Sequence, residues 1–354
     1  MTLTATPPED RATHAAPAPA DDPLSRLLSE RDWLLADGAT GTTLFNMGLQ
    51  SGDAPELWNV DHPERIEALY RGAVEAGSDL FLTNTFGGTA SRLKLHGAQN
   101  RVGELNARGA EIGRGVANGA GREVIVAGSM GPTGEILQPL GPLSEDEATA
   151  MFLAQAEGLR EGGADVLWVE TISAPEEARA AAAAADAAGM PWVLTMSFDT
   201  AGRTMMGLTP KDFGALARKF PRQPVAIGAN CGVGASDLLR TVLGLSGATE
   251  LPVVAKGNAG IPRYVDGHIH YNGTPALMAD YAVMARDSGA RIIGGCCGTG
   301  PEHLRAMREA LETRPRGEAP DLAAVEAALG GFSSADDGSS GEGPKRERRG
   351  RRRG

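Results

Sequence analysis

The sequence feature that most constrains the fold is an eightfold alternation of short apolar runs with longer amphipathic segments. Continuous apolar runs, unlike alternating ones, are typical of parallel strands that are covered on both faces. We therefore interpret all eight as buried parallel strands. They are Trp33–Gly38, Asp79–Thr85, Glu123–Met130, Asp165–Thr171, Trp192–Phe198, Val225–Cys231, Leu251–Asn258 and Arg291–Cys297.

The segments between these runs carry helix signals. Pro63–Ala76 has proline in its first turn and apolar residues three and four apart. Ser144–Glu161 opens with a serine and three acidic residues, as a capped helix does, Ala174–Ala188 is almost all alanine, and Thr209–Lys219 begins with Thr-Pro. Eight strands alternating with helices over about 280 residues predict a (β/α)8 TIM barrel of the α/β class. A doubly wound open sheet is the alternative, which the strand count and the missing G-x-G-x-x-G turn disfavour.

The two ends of the chain differ in composition from the segment between them. Residues 1–22 are rich in Ala, Pro, Thr and Asp, and residues 333–354 are of low complexity and finish strongly basic. We predict disordered tails at both ends, a single barrel domain over residues 23–316 and a short helix within 317–332. The basic tail could contact RNA or anionic lipid, although a solvated tail is the simpler interpretation.

Charge and cysteine content restrict the compartment and the partners. With 34 Lys and Arg against 45 Asp and Glu, the net charge is −11, which argues against a general nucleic-acid surface. The sequence shows no secretory signal and no apolar run of about 18 residues. Three cysteines are too few for a disulfide framework, so we predict a cytoplasmic protein with small-molecule substrates and no membrane or nucleic-acid partner. The sequence leaves homo-oligomerisation open.

Polar residues capable of chemistry collect where the predicted strands end. In a TIM barrel these carboxyl ends form the active-site face. Two of the residues are carboxylates, and all three cysteines of the chain are among them. The candidates are Asp37, Gly38, Asn84, Thr85, Ser129, Glu170, Asn230, Cys231, Cys296 and Cys297.

The three cysteines predict a metal site. Cys231 ends the sixth strand, and Cys296 and Cys297 end the eighth. Alternate strands of a barrel share a layer, so the three thiols can meet at its mouth. Thiolates are preferred zinc ligands, and three protein ligands with one open position are typical of catalytic zinc. The alternatives are buried thiols acting as small apolar groups, a strained disulfide between the neighbours, or a glycine-rich phosphate cradle.

A pair of histidines offers a second, weaker metal signal. His268 and His270 are two residues apart, a spacing that could hold a metal, but they lie in a long polar segment after the seventh strand. A surface loop is the simpler interpretation of this segment, and we predict one.

Taken together, the motifs at the strand ends resemble the homocysteine S-methyltransferase family. That family includes betaine–homocysteine methyltransferase, S-methylmethionine–homocysteine methyltransferase and the homocysteine-binding module of cobalamin-dependent methionine synthase. The similar stretches run in family order and cover about residues 30–310. They are "DGATGTTL" from Asp37, "TNTFGGTASRL" from Thr83, "GSMGPTG" from Gly128, "VET" from Val169, "GANCGVG" from Gly228, "GNAGIP" from Gly257 and "GGCCGTGPEH" from Gly294.

The resemblance implies an activity and a set of site residues. It implies a zinc-dependent enzyme that methylates the thiol of homocysteine, giving methionine, with the homocysteine sulfur at the open zinc position. The ligands would be the three cysteines. The amino acid end of homocysteine would lie against Asp37, Gly38 and Glu170, with Thr85 nearby. The residues agree with this, since carboxylates suit an ammonium and the Gly38 region offers backbone N–H groups to a carboxylate.

The methyl donor is the least determined part of this expectation. Animal betaine enzymes of the family carry tyrosines directly after the equivalents of Phe86 and Glu170, where this chain has Gly87 and Thr171. Trp58 lies in the region that supplies a tryptophan to the betaine site, and a quaternary ammonium favours aromatic faces. We expect betaine as the donor, then S-methylmethionine or another sulfonium, then a methyl-corrinoid partner protein.

The residues are also compatible with two other functions. A zinc-thiolate barrel could act as a redox sensor, because zinc-bound thiolates oxidise and release the metal. A metal-independent, aldolase-like barrel would need a lysine at a strand end to form a Schiff base, and Lys256 at the end of the seventh strand is the candidate.

Overall fold

The computed structural model describes residues 22–260, 262–265 and 268–335, with backbone only for 262–265 and 268–270. Nearly all of the two predicted disordered tails, residues 1–21 and 336–354, lies outside the described residues. Eight parallel strands curl into a barrel with helices between them, which confirms the predicted (β/α)8 fold.

The barrel sheet has the order β1-β10-β7-β6-β5-β4-β3-β2, and a separate antiparallel hairpin, β8–β9, lies between β7 and β10 in the chain. The strands are β1 Leu34–Leu35, β2 Leu80–Leu82, β3 Ile125–Met130, β4 Val166–Ile172, β5 Trp192–Met196, β6 Ala226–Cys231, β7 Val253–Gly257, β8 Pro262–Val265, β9 His268–Tyr271 and β10 Ala290–Gly295.

Helices precede the first strand, join the strands and follow the last one. They are α1 Pro23–Glu30, α2 Gly41–Asn46, α3 Trp58–Asp61, α4 Pro63–Glu75, α5 Ala90–Leu93, α6 Val102–Asn118, α7 Glu145–Glu161, α8 Pro175–Ala188, α9 Pro210–Ala217, α10 Ala235–Ser246, α11 Pro275–Asp287, α12 Pro301–Thr313 and α13 Leu322–Leu329. Short 3-10 turns cover Pro55–Leu57, Lys94–His96 and Gln99–Arg101. Within the described residues, none of these helices is both long and apolar enough to cross a bilayer.

The helix starts follow from the capping residues in the sequence. Ser144 and Glu147 form a capping box at the start of α7, in which the Ser144 hydroxyl accepts from the Glu147 N–H at 3.2 Å. Thr209 and Asp212 form the same arrangement at α9. These side chains satisfy N–H groups that the first helical turn leaves without a backbone partner.

Two elements differ from the sequence-based expectation. The sequence predicts a loop for the polar segment that contains His268 and His270, but its backbone forms the β8–β9 hairpin. Its polar residues lack the apolar run that marks a buried strand. The N-terminal helix α1 is also absent from the prediction; Asp22 caps it by accepting from Ser25 N at 2.9 Å, and its face with Leu24 and Leu27 is buried.

The barrel closes between β1 and β2 through two aspartates. The Asp79 N–H donates to Leu35 O at 2.6 Å, and the Asp79 carboxylate accepts from Leu35 N at 2.9 Å. Nearer the carboxyl ends of these strands, Asp37 Oδ2 accepts from Leu82 N at 2.9 Å. We call this junction the β1–β2 seam, and Asp37 belongs to it.

The barrel interior changes character along its axis. Residues two apart on one strand face the same side. On β4, Val166 and Trp168 belong to the apolar interior cluster, and Glu170 follows two residues later at the mouth. On β7, Val254 is followed in the same way by Lys256. The site therefore lies directly above an apolar layer, at the carboxyl ends of the strands.

Candidate active site

The structure brings the three cysteine sulfurs together at the barrel mouth. Cys231 is the last residue of β6, and Cys296 and Cys297 directly follow β10. Their Sγ atoms all lie within 4.8 Å of one another. Tetrahedral zinc with Zn–S bonds of about 2.3 Å holds its sulfurs about 3.8 Å apart. The sulfur set thus fits a zinc ion in chemistry and in spacing.

The backbone that presents Cys231 is strained and held by hydrogen bonds. Cys231 has φ 61° and Thr171 has φ 63°, a region that costs energy for residues other than glycine. Asn230 Oδ1 accepts from Thr171 N at 3.0 Å and from Thr195 Oγ1 at 2.7 Å, while Asn230 Nδ2 donates to Thr171 Oγ1 at 2.8 Å. The Asn230 side chain therefore fixes the ends of β4, β5 and β6 relative to one another.

Asn258 links the two cysteine-bearing segments. Its Nδ2 donates to Gly232 O at 2.7 Å and lies 3.8 Å from Cys231 Sγ, and its Oδ1 accepts from Cys297 N at 3.0 Å. This role of Asn258 is absent from the sequence-based predictions. The available signal was its position directly after β7, beside the other residues at strand ends.

The thiols also interact with one another. Hydrogen bonds from Cys296 and then Cys297 lower the pKa of the Cys231 thiol far below its ordinary value. The same contact with Cys231 raises the pKa of Cys296. Tyr271, at the end of the hairpin, contacts Cys297, and burial followed by the nearby thiols raises the pKa of its phenol. The three thiols therefore interact closely with one another at the barrel mouth.

Beside the sulfurs lies a buried charged group of Asp37, Lys256 and Glu170. The Lys256 side chain, only 2% exposed, forms an ion pair with Asp37 Oδ1, and its Nζ lies 5.9 Å from the centre of the Trp168 ring. Glu170 accepts from Ser129 Oγ at 2.5 Å.

Burial and charge act in opposite directions on these groups. Burial raises the pKa of Glu170 to about 7, although Lys256 and Ser129 both lower it. Burial alone would lower the pKa of Lys256, but Asp37 and Glu170 outweigh it and raise that pKa. An ion-paired ammonium with a raised pKa is a poor nucleophile, which argues against the Schiff-base function considered for Lys256.

A cavity of about 370 Å³ opens above these residues. Its floor includes the three cysteines and the charged group. Its outer wall comes from the segments after β1 and β2, with Phe86, Arg92, Leu95 and His96 among its residues. Glu56 lies at the same wall, where its Oε1 accepts from Gly87 N at 2.6 Å.

Gly38 lies where two backbone segments meet. A Cβ atom at Gly38 would lie 2.3 Å from the carbonyl oxygen of Thr299, so only glycine fits this contact. Gly38 lines the cavity. Its N–H donates to no acceptor among the described residues, so it is free to bind a ligand.

The structure brings Asp37, Gly38 and Glu170 to the cavity but not Thr85 or Trp58. Neither of the last two is among the described residues that line it. The Thr85 hydroxyl lies 2.6 Å from that of Thr83 and donates to Ser129 O at 2.7 Å. The Trp58 ring packs under the Arg65 guanidinium, 4.7 Å from the ring centre, and against His62.

Comparison with known proteins identifies curated relatives of much greater length. The chain is 32% identical over 330 residues to the methionine synthase of Mycobacterium leprae (strain TN), covering 87% of this chain and 27% of the relative. It is also 32% identical over 315 residues to the methionine synthase of Mycobacterium tuberculosis (strain ATCC 25618 / H37Rv), covering 84% and 26%. The chain thus spans about a quarter of the length of these relatives.

Solved structures of similar length match almost end to end. The homocysteine methyltransferase MmuM from Escherichia coli in its metallated form is 28% identical, with a TM-score of 0.68, covering 81% of this chain and 99% of that one. The oxidised form of MmuM gives the same identity and TM-score with 82% and 99% coverage. A family model described as homocysteine S-methyltransferase matches residues 34–311. The chain therefore belongs to the homocysteine S-methyltransferase family.

Proposed function

We propose that this protein transfers a methyl group to the thiol of homocysteine, giving methionine, with zinc held by Cys231, Cys296 and Cys297. The observation that carries the proposal is the convergence of the three sulfurs within 4.8 Å, at the floor of the cavity that also contains Glu170 and Gly38. Family membership supports the same activity. Zinc, when bound, would lower the pKa of a thiol in its open position and so supply a thiolate at neutral pH.

The chain's own residues position the substrate. The Glu170 carboxylate, fixed by Ser129, would receive the ammonium of homocysteine, and the free N–H of Gly38 would receive its carboxylate. Thr85 would act indirectly. Its hydroxyl donates to the carbonyl of Ser129, and the Ser129 side chain donates to Glu170. Asn230 and Asn258 hold the cysteine-bearing segments in place.

Methyl transfer needs no covalent enzyme intermediate. The substrate sulfur attacks the donor methyl carbon in line, and a new S–C bond forms as the bond from that carbon to the donor heteroatom breaks. The electron pair of the broken bond stays on the donor, so betaine would leave as dimethylglycine. Holding the two reactants at this distance and angle supplies most of the rate.

For the donor we propose betaine, with a sulfonium such as S-methylmethionine as the second candidate and a methyl-corrinoid protein as the third. The outer wall of the cavity offers the Phe86 ring, which suits an onium methyl group. Arg92 on the same wall forms no ion pair with a described carboxylate and could bind the carboxylate of a small donor. Trp58, engaged with Arg65, would contribute only through packing.

The test is a donor panel with zinc-loaded protein and L-homocysteine. Betaine, S-methylmethionine, dimethylsulfoniopropionate and methylcobalamin are supplied separately, and methionine is measured by mass spectrometry. We expect methionine with betaine. The Arg92→Met variant should raise the KM for betaine while leaving the KM for homocysteine unchanged. If no donor yields methionine, the proposed activity is wrong, and the zinc-thiolate sensor becomes the better explanation of the cysteines.

A further inference from the structure

Lys256 is a buried cation whose role the transfer chemistry does not require. We propose that Lys256 is a positioning residue that neutralises Asp37, so that Glu170 is the carboxyl of this buried group left without an ion-pair partner and receives the substrate ammonium. This inference rests on the proposed function, since it concerns how the same cavity recognises homocysteine. It also revises the expectation that both carboxylates share the ammonium.

Both carboxylate oxygens of Asp37 are already engaged. Oδ1 accepts from Lys256 Nζ, and Oδ2 accepts from Leu82 N at 2.9 Å across the β1–β2 seam. The Asp37 carbonyl also accepts from Gly295 N at 2.9 Å. Asp37 thus joins β1 to β2 and to β10, and a substrate ammonium would have to share a carboxylate oxygen with Lys256 or with the Leu82 N–H.

The position of Lys256 on β7 places its side chain for the ion pair with Asp37. In the sheet Lys256 lies opposite Asn230 on β6 and Gly294 on β10. A Cβ atom at Gly294 would lie 2.9 Å from the Asp37 carbonyl oxygen, so glycine allows the segment that carries Asp37 to approach β10 closely. The Lys256 side chain lies above Trp168 and is almost fully buried. A buried ammonium persists only when paired, because an unpaired charge in a low-dielectric interior is strongly unfavourable.

Glu170 differs from Asp37 in its partners. Its carboxylate accepts from the Ser129 hydroxyl at 2.5 Å, which is a neutral donor. Lys256 affects Glu170 through space and forms its ion pair with Asp37 instead. Glu170 is therefore the carboxyl of this group that forms no ion pair within the described residues, and it lines the cavity.

The formal charges of this group match one substrate ammonium. Asp37 and Lys256 cancel. Glu170, whose pKa is raised to about 7, becomes fully ionised when a substrate ammonium lies beside it, which sets one negative charge opposite one ammonium. Without Lys256, two carboxylates would share a cavity with the thiolates and attract a second cation or a proton. The arrangement selects an amino acid with a single ammonium and disfavours a dication at this position.

A double-mutant cycle on the full-length, zinc-loaded protein tests this inference. The variants are Lys256→Met, Asp37→Asn and the double variant, with L-homocysteine affinity measured by calorimetry under reducing conditions and zinc content measured in parallel. The amide oxygen introduced by Asp37→Asn can still accept from Leu82 N, so the seam is retained. We expect each single variant to weaken homocysteine binding at least about tenfold. In Asp37→Asn the released Lys256 ammonium competes for Glu170, and in Lys256→Met the unpaired Asp37 beside Glu170 favours a proton shared by the two carboxyls. The double variant should return to within about threefold of the native affinity, with one zinc per chain throughout.

The outcomes separate the inference from the proposed function. If the native protein does not bind homocysteine, the proposed function falls, and the inference falls with it. If the native protein binds but Lys256→Met binds equally well, or if the double variant is no better than the weaker single variant, the positioning role is wrong while the proposed function stands. Should Lys256→Met not fold, Lys256→Gln gives the same comparison, because its amide donates to Asp37 without a charge.

Discussion

The two ends of the barrel are built from the same strands but serve different purposes. At the amino end, α1 supplies Leu24 and Leu27 to an interior cluster that also contains Leu34, Ile125 and Val166. At the carboxyl end, the same inward-facing rows finish in sulfur, carboxylate and ammonium groups. The difference shows that burial stabilises one end, while the other end buries charges and thiols that must satisfy each other.

The turns at the two ends also differ in which residues adopt a positive φ. At the amino end, the turn from α7 into β4 reaches φ +88° at Gly163, where the left-handed region costs little. At the carboxyl end, Thr171 and Cys231 occupy that region as non-glycine residues. The side chain of Asn230, which directly precedes Cys231, exchanges two hydrogen bonds with Thr171. Strain is therefore located where ligands are presented, which is typical of functional sites.

The largest expected effect comes from removing one sulfur at the carboxyl end. Cys297→Ala should lose zinc and reduce methyl transfer by at least about a thousandfold, because the metal loses one of three protein ligands. Zinc is quantified by mass spectrometry and activity by methionine formation. Retention of zinc and of activity in this variant would show that the cysteine cluster is not the metal site.

The matching change at the amino end should affect stability alone. Leu27→Ala removes a fully buried side chain from the interior cluster and should lower the free energy of unfolding by about 3 kcal/mol. Urea unfolding measures this loss. The folded variant should keep its KM for homocysteine, and a KM raised several-fold would mean that the two ends are coupled.

Glu170→Gln keeps the shape of the cavity and removes its free negative charge. We expect the KM for homocysteine to rise by about 10- to 50-fold, since an ion pair with the ammonium becomes a hydrogen bond to an uncharged acceptor. Zinc content serves as the control and should be unchanged. An unaltered KM would place the ammonium elsewhere and remove the basis for the role given to Lys256.

The smallest effect is expected from a change at the cap of an outer helix. Ser144→Ala removes the capping box of α7 and should cost about 1 kcal/mol of unfolding free energy. Activity and zinc content should match those of the native protein. A large loss of activity would show that the outer helices influence the mouth, contrary to the separation described above.

Much of the fold followed from local sequence patterns, whereas the partners within the site did not. The eight strands could be located because buried parallel strands are continuous apolar runs. The hairpin was missed because its strands mix polar and apolar residues and form no continuous apolar run. The meeting of the three cysteines followed from the rule that alternate strands share a layer. No such rule pairs Lys256 with Asp37, 219 residues apart, or turns Trp58 away from the cavity towards Arg65.

The most direct test of the central claim is zinc K-edge X-ray absorption with and without L-homocysteine. The claim is that the three cysteine sulfurs leave one position for the substrate thiol. We predict about three sulfur neighbours and one lighter neighbour for zinc in the free protein, at Zn–S distances of about 2.3 Å, and four sulfur neighbours after homocysteine is added. A sulfur count that does not change when homocysteine binds would contradict the account.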